Sequence, residues 1–270
     1  MKLARKNISL HARTVYSDRI LTITTINIMA LSSITKKLIM SISGLFLIVF
    51  LLLHMTINLF SVIDTFTKSY GAADGLFAAG CEFMSLPIVT IMVPVLAAGF
   101  LVHIIYAMIL TAGNIKARGG LQRYAGGSKG KAESWAAKNM LILGVVVLGI
   151  VAFHLSHFWS EMQLKEFMGE HATDPYKLLN LTFEKLWVVV LYIVWFVALG
   201  LHLCHGFWSA FQSLGLSNSI WEKRLTWIGY IFVAIIVLGF SIVAINGYCQ
   251  ANGYLPKCLK VAAPCCCGHC

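Results

Sequence analysis

Four histidines lie in four separate apolar segments of the chain, with one histidine in each: His54, His103, His154 and His202. An ionisable side chain at membrane depth is costly, so its presence there indicates a function. Neutral imidazole is a common iron ligand, and bis-histidine ligation of haem suits electron transfer. Four imidazoles on neighbouring helices therefore predict two sites, each holding one haem b between two histidines.

The segments that carry these histidines are long enough to cross a bilayer. Of the 270 residues, 59% are hydrophobic and only 12% are charged, which excludes a soluble globular domain and a disordered chain. Continuous rather than alternating apolar runs argue against a β-barrel. The sequence predicts an all-α bundle of five transmembrane helices enclosing two stacked b haems. The predicted spans are about 38–61, 87–112, 139–160, 186–212 and 225–247, and each has the ~20 residues that a helix needs to cross ~30 Å of hydrocarbon.

Charge is distributed unevenly between the two ends of these predicted helices. The loop 113–138 carries six Lys and Arg residues against one acid, whereas eight of the eleven acids lie in the two loops at the opposite end. The positive-inside rule then predicts a cytoplasmic N-terminus and a C-terminus outside. The net charge of +10 mostly reflects this topology, and we expect no nucleic-acid partner because no soluble basic domain exists to hold one.

Depth within the predicted bundle sorts the histidines into two layers. Counted from the outer boundary, His54 and His154 lie ten and seven residues deep, whereas His103 and His202 lie sixteen and seventeen residues deep. The layers differ by about eight residues, or ~12 Å along a helix. We therefore expect His54 and His154 (the 54/154 pair) to hold the outer haem iron. His103 and His202 (the 103/202 pair) are expected to hold the inner, cytoplasmic haem iron.

Two further histidines, His157 and His205, each follow a candidate ligand by three residues. At that spacing they share a helix face with it, so either could be the true ligand, although depth favours His154 and His202. A single membrane histidine often makes only a helix–helix hydrogen bond. A proton relay in a transporter is the other alternative. Four histidines in two matched layers favour haem over both.

The termini are predicted to lie outside the bundle, which occupies residues 34–248. Residues 1–33 are expected to form an N-terminal cytoplasmic segment, and Met29 is an alternative start. Residues 249–270 form a tail on the outer, oxidising side that holds six of the eight cysteines. A disulfide or a flexible end is the favoured interpretation of this tail, and a soft-metal site that includes His269 is the other.

Four segments of the sequence carry a family resemblance. They are SITKKLIMSISGLFLIVFLLLHMTINLF (33–60), HIIYAMILTAGNIKARGGLQRY (103–124), FHLSHFW (153–159) and GLHLCHGFWSAFQSLG (200–215). The chain resembles the cytochrome b membrane-anchor subunit of succinate dehydrogenase and quinol:fumarate reductase, in its five-helix, dihaem form. The resemblance runs from about residue 33 to 247, and its most specific part is the fourth segment.

The resemblance implies that the four ligands are His54, His103, His154 and His202. It also implies a bacterial inner membrane, with a flavoprotein subunit and an iron–sulfur subunit docked on the cytoplasmic side to interconvert succinate and fumarate. This chain would anchor them and exchange electrons with menaquinone or another quinone. No dinucleotide fingerprint or iron–sulfur cysteine motif occurs here, which agrees with that chemistry lying in partners. The alternative within redox proteins is the haem b subunit of a hydrogenase or formate dehydrogenase.

A quinol oxidised near the outer haem must lose two protons, so a carboxylate nearby would help. Glu82 is the candidate, because it is expected to open the second span on the outer side, and Glu161 is the runner-up. The other interpretation of Glu82 is a solvated loop acid or a favourable charge at a helix N-terminus. The sequence departs from the family in having no acid in the core of any predicted span, and Gly200 stands two residues before His202.

Overall fold

The computed structural model describes residues 31–117, 135–216 and 218–255. In chain order its elements are α1 (Ser33–Phe66), α2 (Leu76–Met84), α3 (Pro87–Ala117), α4 (Trp135–Lys138), α5 (Met140–His154), a π-helix (Leu155–Leu164), α6 (Lys165–Phe167), α7 (Pro175–Phe183), α8 (Leu186–Ser213) and α9 (Ser219–Ala251). The possible start at Met29, most of the basic loop and the tail cysteines from Cys258 onward lie outside the described residues.

Five of these helical stretches are long and apolar enough to cross a membrane: α1, α3, α8, α9 and the continuous stretch Met140–Phe167, which joins α5, the π-helix and α6. Every regular element in the described ranges is helical. The predicted all-helical, multi-pass membrane architecture is therefore confirmed. The haems that it was expected to enclose stay a prediction.

Two of the spans, α1 and α9, begin before their predicted starts, because polar side chains cap them there. The Ser32 side chain accepts a hydrogen bond from the backbone N–H of Thr35 at 3.1 Å, and α1 starts between them. The Asn218 side chain accepts from the N–H groups of Ile220 and Trp221, so α9 starts before the polar residues that were used to mark its boundary. In these two helices, hydropathy marks the hydrocarbon-facing part, and the capped start adds a turn or more.

The helix α8 lies at the centre of the bundle. It packs against α1, α5 and α9, whereas α3 packs against α1. The core between α8 and α9 is largely aromatic and aliphatic, and its most buried members include Tyr192, Phe196, Ile236 and Ala244. By contrast, α3 is exposed along most of its length, as expected of a helix that faces lipid. The central position of α8 places His202 inside the bundle.

Gly200 allows α8 and α9 to approach closely. A Cβ atom at Gly200 would lie 2.8 Å from Val237 Cγ2 and 3.3 Å from Val233 Cγ1. Both neighbours are β-branched and have little rotamer freedom with which to move away. The small residue two positions before His202 is therefore a packing residue.

Adding a methyl group at Gly200 should destabilise the bundle. For Gly200→Ala we expect a loss of about 1–3 kcal/mol through overpacking, measured as a lower melting temperature in detergent. Gly149→Ala is the matched control, because nothing lies within 4 Å of a Cβ atom there. That control should be neutral or slightly stabilising, since alanine favours helix over glycine. Equal melting temperatures for the two variants would contradict the close approach.

A polar seam joins α1 to α9 near the end of the bundle that carries α2 and α7. Its members are Ser61, Thr65, Asn246 and Gln250, all buried. The Asn246 amide donates to the Ser61 carbonyl at 3.4 Å, and the Gln250 amide donates to the Thr65 hydroxyl at 3.1 Å. Hydrogen bonds of this kind hold membrane helices together where the hydrophobic effect does not.

Candidate functional site

The structure brings His54 and His154 together, although they lie on different spans. Their ring centroids are 5.8 Å apart and the ring planes are nearly perpendicular, at 84°. Aromatic residues flank the pair: Phe50 and Phe240 pack on His54 with centroids at 5.5 and 5.9 Å. The two imidazoles thus face each other in apolar surroundings where α1 and α5 meet.

His103 on α3 and His202 on α8 form the second pair, with ring centroids 6.4 Å apart. The Ser43 hydroxyl lies 3.3 Å from His103 Nδ1 and donates its own proton to the Met40 carbonyl at 3.0 Å. The hydroxyl oxygen is therefore left to accept from an Nδ1–H group of His103. That tautomer leaves the other ring nitrogen, Nε2, with a lone pair that can bind a metal.

Both pairs fit axial ligation of a haem iron. Metal–imidazole bonds are about 2 Å long, so two imidazoles on opposite sides of one iron have ring centroids ~6 Å apart. The separations of 5.8 and 6.4 Å match this requirement. His154 Nδ1 and His202 Nδ1 are also buried without a hydrogen-bond partner in the described ranges. Such orphaned ring nitrogens are unusual unless they serve a function.

The number of histidines at each site is compatible with axial ligation of a haem. Within residues 31–117, 135–216 and 218–255, no three or more His, Cys, Asp or Glu side chains gather to hold a metal. A structural zinc site needs four ligands and a catalytic one needs three, whereas haem needs only the two axial positions.

Gly44 adds space beside His103, since a Cβ atom there would lie 3.3 Å from His103 Cε1.

The alternative ligand His157 lies in the π-helix, which begins directly after His154. A π-helix has more residues per turn than an α-helix, so a step of three residues rotates a side chain through a smaller angle around the helix axis. His157 therefore does not lie on the same helix face as His154. Its Nδ1 lies 2.9 Å from the Phe153 carbonyl, and its ring packs on Phe153. The other alternative ligand, His205, is half-buried on α8, one turn beyond His202. The contacts favour His154 over His157, and ligation by either stays a prediction.

Glu82 does not open the second span, and that expectation was wrong. It lies near the end of α2, a separate short helix that ends at Met84, and its side chain is exposed. A new helix starts at Pro87 because proline cannot donate a backbone hydrogen bond within a helix but fits its first turn. The runner-up, Glu161, lies in the π-helix and accepts hydrogen bonds from Lys165 at 2.6 Å and Thr173 at 3.0 Å.

Asp64 is a buried acid in the last turn of α1. Hydropathy alone places it just past the outer end of the first predicted span. It is fully buried, and its carboxylate accepts from the backbone N–H groups of Leu76 and Phe77 at 2.9 and 2.7 Å. It also accepts from the Tyr176 hydroxyl at 2.7 Å and the Ser69 hydroxyl at 3.2 Å. Asp64 thereby joins the end of α1 to the starts of α2 and α7.

The Tyr176 hydroxyl stays protonated beside Asp64. Burial, and then the hydrogen bond to Asp64, raise the pKa of the Tyr176 hydroxyl above its ordinary value, so it remains a donor. Gly75 makes room for this contact, because a Cβ atom there would overlap the Tyr176 hydroxyl.

Nearby, burial and then the charge of Asp174 raise the pKa of the Cys81 thiol to about 12, which makes the thiol unreactive at neutral pH.

Comparisons with protein-family models, with curated proteins and with solved structures found no match to this chain. The interpretation of the two histidine pairs therefore depends on their own geometry and on the resemblance of the sequence segments.

Proposed function

We propose that this chain is the membrane-anchoring dihaem cytochrome b subunit of a succinate:quinone oxidoreductase. The observation that carries the proposal is that four spans each contribute one histidine, and that these meet as two pairs with ring separations suited to axial haem ligation. Its place would be the bacterial inner membrane, with the N-terminus cytoplasmic and the C-terminus outside, as the charge distribution supports.

The chain's own residues would hold two irons within one apolar bundle. His54 and His154 would bind one iron and His103 and His202 the other, and each haem would supply a one-electron carrier. Because α1 provides His54 to the first pair and Ser43 to the second, one helix contacts both sites. Those two residues are eleven positions apart, which is ~16 Å along the helix axis. Aromatic side chains around the first pair would exclude water.

The proposed partners follow from the resemblance of the sequence segments. The bundle offers two histidine pairs and a lipid-facing surface, and the dicarboxylate chemistry would belong to a flavoprotein and an iron–sulfur subunit on the cytoplasmic side. Electrons would pass between those subunits and a quinone, menaquinone by resemblance. The 103/202 pair would be the nearer one to the iron–sulfur subunit.

Purification of the intact complex from native membranes tests this proposal. We expect a reducible b-type spectrum, two haems per chain, and co-purification of a flavoprotein and an iron–sulfur protein with succinate:quinone activity. A folded but colourless protein would favour a histidine-based transporter. A coloured protein that carries hydrogenase or formate dehydrogenase subunits would place it in another respiratory complex.

Glu82 is proposed as a proton acceptor for quinol oxidation on the outer side. Its exposed carboxylate can exchange protons with water, as a proton exit requires. We expect Glu82→Gln to slow quinol oxidation by about a hundredfold or more with both haems retained. Glu170→Gln, which changes another exposed acid, serves as the control. Near-normal turnover of Glu82→Gln would leave Glu82 as a solvated acid and direct the search to Glu161.

A further inference from the structure

Two buried hydrogen-bond donors on α8 have no partner in the described part of the chain. They are the hydroxyl of Tyr192 and the indole Nε1–H of Trp195, whose side chains are 2% and 8% exposed. Buried donors without a partner are rare, because each loses its hydrogen bond to water and gains nothing in return. Two of them one turn apart on the same helix face indicate a group that this bundle is built to receive.

Both donors lie beside the 54/154 pair. The Tyr192 ring centroid is 6.3 Å and the Trp195 ring centroid 6.0 Å from that of His154, and the two rings contact each other at 5.6 Å. His154 Nδ1 is itself buried and without a partner in the described ranges. The side chains that carry these three unsatisfied atoms thus pack together where α5 meets α8, and their other ring neighbours, such as Phe153 and Phe196, are aromatic.

The chemistry of the missing partner follows from the donors. An indole Nε1–H can only donate, so Trp195 requires an acceptor, and a tyrosine hydroxyl can donate to the same kind of group. The partner is therefore an oxygen acceptor on a molecule with a flat, apolar body that suits the aromatic lining. A haem carboxylate and a quinone carbonyl both meet this description.

We propose that Tyr192 and Trp195 donate hydrogen bonds to an acceptor oxygen of the molecule bound beside His154, either a carboxylate of the haem held by the 54/154 pair or the carbonyl of a quinone next to it. The inference rests on the proposed function, because it requires that pair to hold a haem. Tyr192 and Trp195 are then ligand-binding residues of that site.

The test uses Tyr192→Phe and Trp195→Phe in the intact complex. Tyr230→Phe and Trp227→Phe are the matched controls, because they make the same changes at exposed positions on α9. Haem retention, the midpoint potential of each haem and the binding of a quinone analogue are measured for every variant. The hydroxyl has no protein partner in the described ranges, so Tyr192→Phe should fold as well as the wild type.

The two sources of the acceptor give different results. For a haem carboxylate, the variants should weaken haem retention at the 54/154 pair by roughly tenfold or more and shift its potential, since hydrogen bonds to charged groups are the stronger ones. For a quinone carbonyl, both haem potentials should stay unchanged while affinity for the quinone analogue falls roughly fivefold.

The inference and the proposed function fail in different ways. If the wild type holds two haems and the variants match their controls in haem retention, potential and quinone binding, the donor assignment is overturned and the proposed function stands. If the folded wild type holds no haem at the 54/154 pair, the proposed function and the donor assignment are both overturned.

Discussion

Replacing His103 or His202 with alanine is expected to remove one and the same haem, so that each variant retains a single b haem per chain. The rings of these residues lie 6.4 Å apart on α3 and α8, so loss of either leaves one axial ligand for the same iron. Replacing His54 or His154 should remove the other haem, because their rings lie 5.8 Å apart. Haem content and the reduced absorption spectrum of the purified complex measure both outcomes.

The neighbouring histidines provide the controls for this series. His157→Ala should retain both haems, because the His157 ring packs on Phe153 of its own helix rather than on the partner of His154. His205→Ala should also retain both. Adding imidazole to an alanine variant should restore part of the lost spectrum, which separates ligand loss from misfolding. If His103→Ala and His154→Ala removed the same spectral component, the pairing would be wrong.

Asp64→Ala should lower the stability of the bundle more than Gly200→Ala does. The fully buried carboxylate accepts four hydrogen bonds, from Leu76, Phe77, Tyr176 and Ser69. Removing it leaves these donors without an acceptor and separates α2 and α7 from α1. Each buried donor left without an acceptor costs about 1–3 kcal/mol, so the melting temperature in detergent should fall markedly.

Two further variants identify the cause of the expected loss. Tyr176→Phe removes one donor and preserves packing, so it should cost about 1–2 kcal/mol, less than Asp64→Ala. Asp74→Asn changes an exposed acid near the same turn and should be close to neutral. If Asp64→Ala melted at the wild-type temperature, the carboxylate would not be what holds α2 and α7 to α1.

The sequence predicted the five-span architecture and the composition of both histidine pairs, because hydropathy and residue counting along a regular helix carry that information. His54, His154, His103 and His202 lie as the depth count paired them. Iron binding by these pairs stays a prediction.

The elements between the spans were not predicted, because their causes are contacts between residues far apart in the chain. Asp64 has the sequence surroundings of a loop acid, yet it is buried by α2 and by Tyr176, which lies 112 residues away. Glu82 was expected to open the second span, whereas it lies in a separate short helix that ends at Met84, before Pro87 begins the span. The π-helix after His154 leaves no composition signal, so the departure of His157 from the shared face could not be predicted from spacing alone.

The polar seam between α1 and α9 has a consequence for how the protein is made. Its hydrogen bonds join residues 185 positions apart, so α1 enters the membrane long before its partner has been synthesised. Until α9 arrives, the Ser61 and Thr65 hydroxyls donate only within α1, and the two oxygens that will accept from Asn246 and Gln250 lack those amides. An acceptor oxygen in lipid without its full set of donors is less favourable than one that is paired, and incomplete chains expose surfaces that chaperones and proteases act upon. The seam would therefore distinguish a finished chain from an interrupted one during biogenesis.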